Sequence, residues 1–147
     1  MFERIGGAVT IDRIVESFYA RMNSLPEAKA IRMMHPRDLD PIKQVLKRYL
    51  CEWMGGPALY TVERGHPRLR QRHLGFPIGE TERDAWLLCM HGALEETVEN
   101  DAARQEISAA LQKLANWMRN RPGNPHDAGR ILDLASGTPQ AGPTCPG

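Results

Sequence analysis

Hydrophobic residues recur along positions 1–120 at intervals of three and four, the spacing of one helical face, and no stretch alternates as a half-buried strand would. In the first long segment Ile11, Ile14, Val15, Phe18, Tyr19 and Met22 share a face, with Thr10 placed as an N-cap. A short helix is expected from Pro26, which suits a first turn, to about Met34, and then a loop over "HPRDLD". The next stripe holds Ile42, Val45, Leu46, Tyr49, Leu50 and Trp53. Asp40 as cap and Pro41 open it, and Gly55-Gly56-Pro57 closes it. Residues 58–66 read as loop, and a shorter helix from Pro67 carries Leu69 and His73 on one face. Thr81-Glu82-Arg83-Asp84 resembles a capping box for a helix to about Val98, with Trp86, Cys89, Met90, Ala93, Leu94 and Thr97 on one side. The last helix is expected over Asp101 to Asn120, with Ile107, Ala110, Leu111, Leu114, Trp117 and Met118 inward.

This pattern predicts an all-α domain over residues 1–120. Beyond it the composition shifts to Gly, Pro and small polar residues, so 121–147 reads as a disordered tail with at most a transient turn at "RILDLA". Charge refines the picture. The formal net charge is +1, with 41% hydrophobic and 25% charged residues, ordinary for a soluble globular chain and too balanced for one built around nucleic-acid phosphates. Arg64, Arg68, Arg70 and Arg72 are therefore a local patch suited to small anions. No apolar run reaches the ~18 residues of a membrane span, and the N-terminus lacks a secretory apolar stretch. Cys51, Cys89 and Cys145 are odd in number and form no CxxC pair, the usage of buried free thiols in a reducing compartment. The expected location is cytoplasmic.

His73 is the sharpest chemical candidate. A single histidine on a helical face serves structure as readily as ligation, but Arg70 and Arg72 flank this one and Leu69, Leu74 and Phe76 add apolar surface. An imidazole for a metal, apolar cover for a flat macrocycle and arginines for its carboxylate arms together make the mixture a haem needs. A second constellation comprises Tyr19, Trp86 and His35. Each alone reads as a core aromatic or a loop residue; together, opposite a ligating His73, they would make a polar pocket around a diatomic ligand. His66, just before a helix, reads as a surface cap, His91 falls off its helix's stripe and is expected exposed, and Glu95, Glu96 and Glu99 read as a solvated acidic face. There is no HExxH, nucleophile elbow or phosphate-cradling Gly-rich loop.

The stretches "IGGAVTIDRIVESFYARM", "MMHPRDL", "EWMGGPALY", "RGHPRLRQRHLGFPIG" and "ERDAWLLCMHGAL" resemble the truncated haemoglobins of group II. The match spans about residues 2–120, and "RGHPRLRxRH" with "ERDAW" at this separation is its most specific part. The resemblance implies a two-over-two helical sandwich around haem b, with His73 as proximal iron ligand and Tyr19, Trp86, His35 and Leu46 around the distal site. Ile42 stands where other globins often carry a distal histidine. Arg72, with Tyr60, is implied to meet the haem propionates, and Phe76, Ile78, Ile42 and Met90 to line the cofactor. Two departures stand out: Gly75 where the family often has proline, and His35 where some members have tyrosine.

What the resemblance implies about function is reversible binding of oxygen and other diatomics. Two donors on the bound ligand predict slow release, which suits oxygen transport poorly. The same donors suit haem redox chemistry, whether peroxidase-like or nitric-oxide dioxygenation, and a diatomic sensor whose tail meets a partner is a third alternative. An unidentified reductase, no nucleic acid, no membrane, and a monomer or homodimer complete the expectation.

Overall fold

The computed structural model describes residues 1–121. Among them there is no strand. Seven α-helices follow in order: α1 (Gly7–Ser24), α2 (Lys29–Met33), α3 (Asp40–Trp53), α4 (Leu59–Arg64), α5 (Leu69–His73), α6 (Glu80–Thr97) and α7 (Asp101–Trp117). Short 3-10 turns at Glu3–Ile5 and Pro26–Ala28 precede α1 and α2. The long helices form two pairs: α1 packs on α3, α6 packs on α7, and the α1–α6 contact joins the pairs. The expected two-over-two helical sandwich is thus present. The expected tail lies, from residue 122 on, outside the described residues, as does Cys145.

The inward stripes of α1 and α3 are those the periodicity marks. Ile14, Val15, Phe18 and Tyr19 are fully buried, and Ile42, Val45, Leu46, Tyr49 and Leu50 are buried on α3. Burying such a face, and not intrinsic propensity, supplies most of a helix's stability in a protein. At the end of α3, Gly55 takes φ +93°, and a Cβ on Gly56 would lie 2.7 Å from the Phe2 ring and 2.8 Å from the Cys51 carbonyl. The glycine pair therefore lets the N-terminus seat on this helix end, where the Phe2 N–H donates to the Met54 carbonyl at 2.8 Å. Cys51 and Cys89 are buried free thiols, and burial pushes the Cys89 thiol up to about 11.

Several boundaries differ from expectation. α1 starts at Gly7, with Gly6 at its N-cap, so Thr10 is a buried residue inside the helix and caps nothing. Asp40 belongs to the first turn of α3; Asp38 Oδ1 accepts the Asp40 N–H at 3.0 Å instead. Part of the expected 58–66 loop is helix α4. Its local sequence is a weak helix former, but the Glu52 carboxylate accepts both the Thr61 N–H at 3.1 Å and its hydroxyl at 2.5 Å, and Tyr60 is buried against Tyr49 with ring centroids 5.7 Å apart. Tertiary partners override propensity there. The cap of α6 lies ahead of Thr81, at Gly79, whose N–H donates to Glu82 Oε1 at 2.7 Å. α7 ends at Trp117, which is 59% exposed because Ala115 and Met118 take the inward positions. His91 is half-buried where exposure was expected, because α7 residues Arg104, Gln105 and Ser108 flank it. No helix among the described residues is long and apolar enough to cross a membrane.

Candidate functional site

One cleft opens between the helix pairs, enclosing about 90 Å³ of water-accessible space and about 840 Å³ when counted out into its open mouth. α3 contributes Leu46, Tyr49 and Leu50; α5 and the loop after it contribute Leu69, His73, Phe76 and Ile78; α7 contributes Leu111, Leu114, Ala115 and Met118. Trp86, Glu82 and Arg83 enter from α6, and Ile31, Met34 and His35 from α2 and its exit. The lining is mostly apolar, with two imidazoles set into it.

Both imidazoles are held in the same way. His73 Nδ1 donates to the Leu69 carbonyl at 2.6 Å, and His35 Nδ1 donates to the Ile31 carbonyl at 2.7 Å. A carbonyl only accepts, so in each ring the proton is on Nδ1 and Nε2 is the lone-pair nitrogen. Such a bond to a backbone carbonyl fixes the tautomer and orientation of a metal-binding histidine. Burial holds both rings below the usual histidine range: for His73 the Leu69 bond opposes that shift and His35 adds to it, and for His35 the Ile31 bond opposes and Arg32 adds. Both are neutral at physiological pH. Among the described residues no three His, Cys, Asp or Glu side chains cluster as a metal site. Imidazoles on a mostly apolar wall, with no further ligand cluster among the described residues, suit a metal whose remaining ligands belong to its own flat macrocycle, so the donor set fits haem.

The aromatic residues named from the sequence come together. Tyr19 is fully buried, and its ring meets Phe18 edge-on at 4.9 Å and the His35 ring at 5.9 Å. Phe18 in turn meets Trp86 at 5.4 Å. Tyr19, His35 and Trp86 thus form one cluster about Phe18, and His35 and Trp86 line the cleft. Leu46, Phe76 and Ile78 line it as well.

Five named residues stand back from the lining: Tyr19, in the aromatic cluster behind it, and four others. Ile42 and Met90 are buried in the core cluster. Tyr60 is fully buried, its hydroxyl without a hydrogen-bond partner among the described residues. The half-buried Arg72 guanidinium lies 5.9 Å from the Tyr60 ring centroid, a cation–π arrangement. His66 is exposed, as expected, but does not cap the helix: α5 starts at Leu69 and not at Pro67, its N-cap is Arg68, and His66 Nδ1 accepts the Arg68 N–H at 3.1 Å ahead of it. Glu96 is solvent-facing, as expected, and accepts from the Ser17 hydroxyl and Arg21.

Sequence reasoning did not single out Tyr49, Leu50, Met34 or Met118 as cleft residues. The first two belong to the α3 stripe, but periodicity identifies an inward face without saying which inward positions border a cavity. Burial, with Tyr60 and Glu52 nearby, pushes the Tyr49 phenol up to about 12, so it stays protonated. Asn120 was missed altogether. It is 4% exposed, and its side chain donates to the carbonyls of His73 and Phe76 and accepts the Ile78 N–H.

Comparison with known proteins agrees with this architecture. The model of the bacterial-like globin family matches residues 1–120. The chain is similar to the group 2 truncated haemoglobin YjbI of Bacillus subtilis, 38% identical over 120 residues that cover 82% of this chain and 88% of the relative. Among solved structures it resembles the group II 2-on-2 haemoglobin of the plant pathogen Agrobacterium tumefaciens, with TM-score 0.79 and 44% identity over 81% of this chain and 92% of the other. It also resembles the truncated oxygen-avid haemoglobin of Bacillus subtilis, with TM-score 0.74 and 38% identity over 81% of this chain and 98% of the other. A helical sandwich open at one cleft, an imidazole in its wall and these likenesses agree: the chain belongs to the bacterial-like globins, as a group II truncated haemoglobin.

Proposed function

We propose that the chain holds haem b through His73 and binds oxygen or another diatomic ligand reversibly. The observation that carries this reading is the His73 Nδ1–H bond to the Leu69 carbonyl at 2.6 Å, in a cleft walled mostly by apolar residues. That bond commits one ring nitrogen and keeps the other a neutral donor at physiological pH. Haem, when bound, supplies an iron with one position open to a diatomic ligand. The chain's own residues do the rest. Leu46, Leu50, Phe76 and Ile78 keep water from the cleft, and Arg72 at the end of α5 offers a guanidinium to carboxylate arms. Tyr19 and Trp86 offer an O–H and an N–H to a ligand that gains negative charge on binding, with His35 beside them.

Hydrogen bonds to charged acceptors contribute ~1.5–3 kcal/mol each, so two of them slow ligand release by ~100-fold or more. The oxygen-avid character of the Bacillus subtilis relative points the same way. Purified protein is expected to show an intense Soret band that His73→Ala greatly weakens, and oxygen release that Tyr19→Phe and Trp86→Leu each accelerate. A full Soret band with normal coordination in the His73→Ala protein would refute the ligand assignment. Release unmoved by both aromatic substitutions would refute the distal one.

A further inference from the structure

We infer that Asn120 is a positioning residue for His73, acting from the segment just after α7 through the backbone of the ligand-bearing segment. The inference rests on the reading of His73 as iron ligand, and goes beyond it by naming what holds that ligand in place.

The argument starts from how little α5 can do alone. It has five residues, far below the length at which a helix sustains itself in water. His73 is its last residue, and the carbonyls of a final turn have no partner within the helix. The following segment, "LGFPIG", has no helix of its own, with two glycines and a proline among six residues. Locally the end of α5 has the Leu74 N–H to the Gln71 carbonyl at 3.3 Å and the Phe76 N–H to the His73 carbonyl at 3.0 Å, bonds within the segment that do not tie it to the rest of the fold.

Asn120 supplies what is missing. Its Nδ2 donates to the His73 carbonyl at 3.1 Å and to the Phe76 carbonyl at 2.8 Å. Its Oδ1 accepts the Ile78 N–H at 3.0 Å and Arg121 Nη1 at 3.2 Å. Its own N–H donates to the Ile78 carbonyl at 2.8 Å. Both amide protons and both lone pairs of the side chain are in use, at a position only 4% exposed. A buried amide with every bond made is a rigid brace, and losing one partner leaves the other group buried and unsatisfied.

The neighbouring residues tighten the same seam. Arg70, on α5, donates to the Trp117 carbonyl at 3.0 Å and the Arg119 carbonyl at 3.4 Å, while Arg119 pairs with Glu80 at the start of α6 at 3.1 Å. The segment 117–121 is therefore a clasp over α5, its loop and the first turn of α6. Within it, Asn120 alone bonds the backbone of His73 itself among the described residues. With the His73 ring pinned at Nδ1 to Leu69 and its carbonyl pinned to Asn120, both ends of the residue are fixed.

The test uses the haem-loaded full chain. Asn120→Ala removes the brace. Asn120→Asp keeps Oδ1 for Ile78, with Arg121 alongside to balance the charge, but removes the two donors to His73 and Phe76. We expect both to shift and broaden the iron–histidine stretching band of the ferrous protein in resonance Raman spectra. Haem loss to a scavenging apoglobin should accelerate by about 10–100-fold, the usual consequence of removing an outer-shell support. If Asn120→Ala does not fold, Asn120→Asp decides. Reduced melting temperature with an unmoved band and unchanged haem loss would make Asn120 a structural residue only and overturn the inference. His73→Ala separates this failure from that of the underlying reading. A band abolished by His73→Ala but untouched by Asn120→Asp refutes the brace, whereas a band surviving His73→Ala refutes the ligand assignment itself.

Discussion

On the Tyr19 side of the cleft, the side chains come from helices of 18 and 14 residues that are buried against one another, and aromatic rings in edge contact fill the space. On the His73 side, a helix of five residues and an irregular loop are held by polar bonds to residues 117–121. The first side is kept in place by packing, which is non-directional and shared among many contacts. The second depends on a handful of directional bonds, each of which matters individually. A site that must offer one imidazole at a fixed angle gains from directional support. A pocket that must exclude water gains from packing.

That contrast is broken or sharpened most strongly at Phe18, which is fully buried between the Tyr19 and Trp86 rings. Phe18→Ala removes the ring that joins Tyr19 to Trp86 and is expected to destabilise the fold by about 3–5 kcal/mol in urea unfolding. Tyr19 and Trp86 should lose their fixed positions, so oxygen release should quicken, while the iron–histidine stretching band stays where it is. If that band moved as far as in Asn120→Asp, the two sides would share one support and the distinction would fail.

The same contrast explains what could be read in the sequence. α1, α3 and α6 were legible because burying a helical face imposes the 3.6-residue period directly on residue type. His73 and the aromatic trio carried enough chemistry to be singled out, though neither periodicity nor spacing joined them without the family resemblance. α4 was not legible, because its partners are Glu52 and Tyr49 on another helix. Asn120 lies 47 positions from His73, and a polar residue after a helix looks like any other chain end until its partners are known. Trp117 misled for the opposite reason: a large apolar residue in register need not be buried when Ala115 and Met118 already occupy the face.

A smaller effect is expected at the opposite end of α7. Asn100 caps that helix, its Oδ1 accepting the Ala103 N–H at 3.0 Å. Asn100→Ala should cost about 1 kcal/mol of stability by chemical denaturation. It removes one directional bond, as Asn120→Ala does, but in a place that does not touch the cleft. Ligand release and the iron–histidine band should both be unchanged. A shifted band would mean that the position of α7 as a whole, and not the clasp at its end, sets the geometry of His73.

The smallest effect concerns the packed side and its surface charges. Glu16 on α1 accepts from Lys43 at 3.0 Å and Lys47 at 2.9 Å on α3, and those two bonds hold its carboxyl below the usual range. A carboxylate whose folded value is depressed binds fewer protons folded than unfolded. Its contribution is therefore present above the unfolded value of 4.5 and is lost as pH falls through the lower folded value. Because Glu16 is half exposed, solvent and salt screen the pair, and Glu16→Gln should cost only about 0.2–1 kcal/mol at neutral pH and low salt. The difference from the parent chain should shrink in molar salt and close in acid once Glu16 is protonated in the folded as well as the unfolded chain. If urea titrations instead found a loss of several kcal/mol that survived salt, the α1–α3 pair would rest on directional bonds as the His73 side does, and packing would not be what holds the Tyr19 side together.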